Sequence, residues 1–419
     1  MFWLIEGKDK FKEFCNRGFE EAFVEIIPLN HFQHPIKNSI CAFYIRPLKE
    51  SKGYMLPIAH GECINLFEDE VYLELKKLKK IYVRDKKDFL HYTILKSLYD
   101  VTLTLPTYIP PITQAHNFIY RNFPTREDTN AIVPITKHYE VCAQIYDDIE
   151  HRINTNVNTF YNDKASLVFN AIERNGLKIN KNDFAQHFHP VEDEFVHTSY
   201  NFKTLTTRPS NTFGGVNFAA LPKENGCRQS FIPRNSSFME FDISAYHPNL
   251  AARLVDYDFG EGDVHQSFAD MYGVDYKKSK ELTFRQLYGG VFDQYKDLPF
   301  FKLTSLYIQI IWDEFQKEGK LTCPISNYVF EKDKLEEMNP QKLFNYVLQN
   351  METSVNIQIL FRIFTLLKGM NTKLVLYTYD SFLFDVDDSE IEVMERIKEV
   401  FNKLKLRITE KNGTTYNFT

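Results

Sequence analysis

Two aspartates stand where an acid is expensive to keep. Asp380 interrupts "LVLYTYDSFLFDV", a run that otherwise reads as a buried hairpin, and Asp242 ends the apolar strand in "SFMEFDISAYHPNLAARL". An ionised carboxylate in such a setting is neutralised, paired with a base or bound to a metal. Two of them on adjacent strand ends make a site for a hard cation such as Mg²⁺, which takes oxygen ligands and keeps places open for phosphates. Either acid alone is better read as a turn cap or half of an ion pair; the stretch between them argues otherwise. In "YKKSKELTFRQLYGGVF", Lys277, Lys280, Phe284, Tyr288 and Val291 recur at helical spacing and so share one face. Ammonium groups followed by rings suit a triphosphate and then a flat base. In isolation the same pattern is more often an amphipathic helix with core aromatics and exposed lysines.

The elements that must position these residues follow from period and punctuation. From Ser237 onward the rhythm is strand, helices, hairpin and a last helix near Ile391 to Lys405, with Pro248 in a helical first turn that tolerates it. Before that, "TTRPSNTFGGVNFAALPKENG" predicts a long ordered loop of the kind that carries function. "ASLVFNAIERNGLKI" predicts an amphipathic helix stopped by Gly176, and the polar, Asn-rich segment from Arg152 to Asn162 predicts a connector. From Met1 to about Glu150, strands "EAFVEIIPL" and "SICAFYIRPL" mix with helices "VYLELKKLKK" and "DFLHYTILKSLYD", which predicts an α/β domain. The basic run "KKLKKIYVRDKK" is read as a solvated helix face rather than a phosphate patch.

A chain of 419 residues has room for two or three domains. Its net charge of −6 gives no support to nucleic-acid binding, although a cleft can be basic on an acidic protein. Six cysteines with no CxxC pair suit a reducing cytosol and disfavour a zinc site or a disulfide framework. The start, "MFWLIEGKDK", has too short an apolar run for a signal peptide or a membrane span, so a cytoplasmic protein without membrane association is expected.

The order acid, then Lys-x3-Phe-x3-Tyr-Gly, then acid in an apolar hairpin resembles the core of family A DNA polymerases, the DNA polymerase I type, over the stretch from "TTRPSN" to the end. The resemblance implies an α/β exonuclease-like (RNase H-like) domain over 1–150, a reduced thumb and connector over 151–207, and an α+β right-hand core of palm and fingers over 208–419. It makes Asp242, the Ile243 carbonyl and Asp380 the ligands of two Mg²⁺ ions, with Mn²⁺ as a substitute. Tyr246, His247, Lys277, Lys280, Phe284 and Tyr288 would then meet the incoming dNTP. Arg208, Asn217, Arg228, Asn345, Gln349 and Tyr379 would meet primer-template DNA, Asn345 and Gln349 in the minor groove, where shape is checked without reading sequence.

The departures carry information too. His247 stands where relatives place a Glu that blocks the ribose 2′-hydroxyl, Tyr379 replaces a His, and Ser381 replaces a third acid. These changes resemble a phage- or plasmid-borne branch, which would act in the host cytoplasm. The N-terminal domain is expected to be a degenerate exonuclease: its first strand offers only Glu25, with Asp88 or Asp100 for a second motif and Glu140, Asp147 or Asp148 for a last. A small thumb predicts low processivity unless a helicase, primase or processivity factor helps a monomeric enzyme. Two other readings are a catalytically inactive replication accessory protein and a single-subunit RNA polymerase or primase relative; the bulk of Tyr246 and His247 speaks against the latter.

Overall fold

The computed structural model describes residues 3–95, 97–101, 129–153, 160–260 and 262–418. They divide into two compact units, Met1–Arg174 and Asn175–Thr419. Residues 154–159 of the expected connector lie outside the described residues.

The first unit is built on a six-stranded mixed sheet of β1 (Trp3–Leu4), β2 (Glu21–Pro28), β3 (Ile40–Pro47), β4 (Tyr54–Pro57), β5 (Lys80–Val83) and β6 (Leu98–Asp100), in the order β1-β4-β3-β2-β5-β6. β2, β3 and β4 form an antiparallel meander, and β5 and β6 add in parallel. Alternation along β2 sends Ala22, Val24 and Ile26 into one core cluster and Phe23 and Ile27 into another, so the sheet is buried on both faces. The second face is covered by the amphipathic helix Ile135–Ile153. The helix Ser166–Asn175 stops at Gly176, whose φ of +60° suits glycine and where a Cβ would lie 2.7 Å from the His197 ring.

Two expectations are corrected here. "DFLHYTILKSLYD" is not one helix: the helix Lys86–Tyr92 ends there, and Leu98–Asp100 pairs with β5 as an edge strand, because a sheet partner outweighs a weak local period. The basic run is a solvated face only in its first half, where Lys76, Lys77, Lys79 and Lys80 are exposed. It crosses β5 and ends on Lys86 and Lys87, which are buried, Lys87 with its ammonium 2.7 Å from the Glu173 carboxylate.

Glu25 and Asp100, the expected exonuclease remnants, are both buried. One Glu25 oxygen accepts from Arg84 Nε at 2.9 Å and from Nη2 at 2.8 Å, and Asp100 accepts the Lys86 backbone N–H at 2.8 Å. A guanidinium bound to Glu25 stands where a metal ion would otherwise offset its charge. Magnesium-dependent removal of a mismatched primer end should therefore be at background when followed by loss of a 3′-labelled nucleotide. Removal that disappears with Glu25→Ala would contradict this.

The second unit centres on an antiparallel sheet, β15-β16-β12-β17, made of β12 (Ser237–Ile243), β15 (Lys373–Thr378), β16 (Ser381–Val386) and β17 (Ile408–Gly413). The helix Pro340–Leu366 packs against the helices Tyr246–Leu254, Tyr276–Gly289, Pro299–Glu318 and Glu392–Lys403. The long loop expected around "TTRPSN" carries small strands of its own: β10 (Ser210–Phe213) pairs with β9 (Tyr200–Asn201) and β11 (Val216–Asn217). Two further small ladders join β7 (Leu177–Lys178) to β8 (Phe195–Val196) and β13 (Lys320–Thr322) to β14 (Val329–Glu331).

Candidate active site

The register of the second sheet brings the two singled-out acids together. Asp242 pairs with Ser381 across the β12–β16 ladder, and the Ile243 N–H donates to the Asp380 carbonyl at 2.8 Å. Asp380 is not inside the hairpin, as the sequence suggested, but at its tip and exposed, in the two-residue turn Tyr379–Asp380. Tyr379 has φ of +58°, a left-handed conformation at the first central position that glycine usually takes in a type II′ turn. Packing holds it there: the Arg208 guanidinium lies 3.7 Å from the Tyr379 ring centre, and Asn356 Nδ2 donates to the Tyr379 carbonyl at 2.6 Å.

Both acids titrate high. Lost hydration comes first for Asp380, and Asp242 and Glu352 add repulsion, pushing its carboxyl up to about 6 although the side chain still reaches solvent. Asp242 is likewise raised, chiefly by burial and further by Glu240, with Lys411, Lys223 and Lys280 pulling the other way. Two repelling carboxylates of this kind, offering only oxygen, fit a divalent hard cation.

The sign of the pH effect differs for binding and for stability. A cation needs the ionised form, so metal-dependent activity should fall as pH drops through about 6. Without metal, a raised carboxyl favours the fold while protonated and loses that contribution as pH rises through about 6. Asp380→Asn should thus melt above wild type in EDTA at about pH 8, with the gap much reduced near pH 4, where the folded carboxyl is protonated and the unfolded one about half so. Equal melting temperatures at about pH 8 would contradict the shift.

The helix Tyr276–Gly289 presents the expected face. Lys277 and Lys280 are exposed, the Lys280 ammonium lying 4.6 Å from the Tyr276 ring centre, and Phe284 stacks on Tyr288 with centroids 6.0 Å apart. The Tyr288 hydroxyl and His247 Nδ1 are 2.5 Å apart, and His247 Nε2 lies 2.5 Å from Glu352. Arg208 Nε donates to the other Glu352 oxygen at 3.0 Å. Tyr246 is buried, its hydroxyl donating to Asn356 at 2.8 Å.

The residues expected on a duplex are distributed unevenly. Asn217 is exposed on β11. Gln349 accepts from Thr206 at 2.9 Å and donates to Asn345 at 3.3 Å. Arg228 is engaged inside the protein, donating twice to the Leu221 carbonyl and lying over the Tyr416 ring. Arg208 spends its charge on Glu352 as described.

Three residues of this network, Glu352, Asn356 and Glu240, were not singled out from sequence. Glu352 and Asn356 lie on a helix buried nearly all round, so no polar stripe marks them. Glu240 is buried on β12, accepting from the Ser381 hydroxyl at 2.9 Å and from Lys411 at 2.9 Å. Its signal was available: two residues before Asp242 on a strand is the same face.

No protein-family model matches the chain, and no curated protein matches it. Among solved structures, the POL domain of Pol1 from M. smegmatis, in complex with a DNA primer-template and dNTP, matches with a TM-score of 0.71. The match covers 99% of this chain and 99% of that one, at 12% identity. The fold is that of a DNA polymerase domain. At this identity the likeness concerns the course of the chain, and what the site does has to be argued from its own residues.

Proposed function

We propose that this protein is a template-directed DNA polymerase of the family A type, adding dNTPs to a primer 3′-hydroxyl. The observation that carries the reading is the pair Asp242 and Asp380, set at facing strand ends with both carboxyls raised chiefly by desolvation, that of Asp380 further by Asp242. Asp242, Asp380 and the Ile243 carbonyl would hold two Mg²⁺ ions. Those ions, when bound, make the 3′-hydroxyl a better nucleophile and offset triphosphate charge during in-line attack.

The chain's own residues do the rest. Lys280, with Lys277 beside it, offers ammonium groups to the phosphates, and Phe284 and Tyr288 offer a stacked face to the sugar and base. His247, clamped between Tyr288 and Glu352, and Tyr246, tied to Asn356, fix bulk where a ribose 2′-hydroxyl would go. Asn345 and Gln349 would reach the minor groove beside the primer end and check base-pair shape, and Tyr379 would meet the duplex. Glu240, bonded to Ser381 and paired with Lys411, steadies the strand it shares with Asp242. In the first unit, Arg84 bonded to Glu25 supports a scaffold role for a degenerate exonuclease-like domain. Extension of a labelled primer with magnesium and either dNTPs or rNTPs tests the reading. Use of dNTPs alone supports it, and duplex binding without extension would favour an accessory protein.

A further inference from the structure

We propose that Asn356 is the positioning residue that sets the direction of the Asp380 carboxylate beside Asp242, an inference that rests on the reading of this pair as a metal site. Both peptide planes that flank the Asp380 Cα are tied down, and together they fix the direction in which its side chain leaves the backbone. The plane after it is held by the Ile243 N–H, which donates to the Asp380 carbonyl at 2.8 Å. The plane before it is held by Asn356 Nδ2, which donates to the Tyr379 carbonyl at 2.6 Å. The first bond runs from backbone to backbone. The second depends on a single side chain.

In a two-residue hairpin turn the carbonyl of the central peptide takes no part in the ladder and ordinarily faces water. Here it meets a fully buried amide on the helix Pro340–Leu366. Tyr379 is left-handed, with φ of +58°, and Asp380 is not among the non-glycine residues of positive φ, which is the type II′ arrangement. Turning the central peptide over would give type I′ and carry Asp380 to positive φ as well, and relaxing Tyr379 to negative φ would remove the primed turn altogether. Either change redirects the Asp380 side chain, and the bond to Asn356 opposes both.

The amide has one orientation in this setting. A carbonyl can only accept, so the atom that faces Tyr379 is the nitrogen. Its second N–H goes to the Tyr377 hydroxyl at 2.8 Å, and Asn356 Oδ1 accepts from the Tyr246 hydroxyl at 2.8 Å. Turning the amide therefore breaks three buried hydrogen bonds at once. Tyr377 is fixed in its own right by Tyr200, whose hydroxyl accepts the Tyr377 N–H and donates to the Tyr377 carbonyl, each at 2.9 Å. Groups that orient a metal ligand from behind change metal affinity by about ten- to a hundredfold when they are lost.

The test titrates Mn²⁺ alone into the full chain, without DNA or nucleotide, and follows free Mn²⁺ by electron paramagnetic resonance, counting only the binding that Asp380→Ala abolishes. Asn356→Leu, close in shape but without polar atoms, should weaken that binding at least about tenfold. In a Tyr379→Gly background, where glycine takes the first turn position unaided, the same change should cost under about threefold. Because Asn356→Leu leaves a buried carbonyl and hydroxyl unpaired and can harm folding, Asn356→Ser provides a second variant, expected to keep its circular dichroism and to weaken Mn²⁺ binding at least about fivefold. Unchanged affinity in Asn356→Ser, or equal losses from Asn356→Leu in the two backgrounds, would overturn the positioning role, the second being what a merely structural contribution gives. Mn²⁺ binding that survives Asp380→Ala would sink the metal pair itself and the role with it, a failure distinct from the other two. None of these readouts depends on nucleotide incorporation.

Discussion

Asp380→Ala is expected to lower primer extension at least about a thousandfold, equivalent to about 4 kcal/mol of transition-state stabilisation, while leaving duplex affinity within about twofold. The separation of the two effects follows from the geometry. Asp380 sits at the tip of a turn whose backbone is held by Asn356 and Arg208 rather than by its own carboxylate. Its side chain makes no part of the sheet ladder, so removing it deletes charge and little structure. Asp242→Ala should be as severe for extension, and the double variant no worse than either single one, as expected when residues act as a unit. Single-turnover extension and filter binding at fixed salt check both halves. A loss of binding parallel to the loss of extension would mean that the acids support the fold of the site rather than its chemistry.

Glu352→Ala carries the largest expected cost to stability. Its carboxylate is buried and serves two cationic or proton-donating partners, Arg208 at 3.0 Å and His247 at 2.5 Å. Burial pushes its carboxyl up, but the hydrogen bond and charge of His247 and the Arg208 guanidinium outweigh this and hold it below the ordinary value. A lowered carboxyl contributes stability above its unfolded pKa and loses it as pH falls through the folded value. Removing the anion strands both partners, a change that costs about 3–5 kcal/mol in buried pairs. Chemical denaturation at neutral pH should show that loss, with a smaller difference in acid. The same variant releases His247 and, through it, Tyr288, so discrimination against rNTPs should weaken in whatever protein remains folded. A stability loss below about 1 kcal/mol would show that the network is not structural.

How much of this was legible in the sequence depended on whether the signal was local. The strand ending in Asp242, the hairpin around Asp380 and the Lys277–Tyr288 face were read from period alone, and each is where the pattern put it. The exposure of Asp380 was not legible, because it depends on Tyr379 accepting a positive φ in a two-residue turn with no glycine. Glu352 escaped notice because a helix buried on all sides gives its polar residues no distinguishing face. The edge strand β6 escaped because pairing to β5, not local propensity, decides it. The duplex roles of Arg208 and Arg228 came from a motif, and a motif does not show that a guanidinium is already engaged by Glu352 or by the Leu221 carbonyl.

The most direct test of the central claim is single-nucleotide incorporation by the wild-type protein on four primer-templates that differ only in the next template base. Each is offered the four dNTPs one at a time with magnesium. Each template should accept its complementary dNTP, EDTA should abolish every product, and Asp380→Ala should yield none above background. Tight duplex binding with no incorporation on any template, under magnesium or manganese, would contradict it.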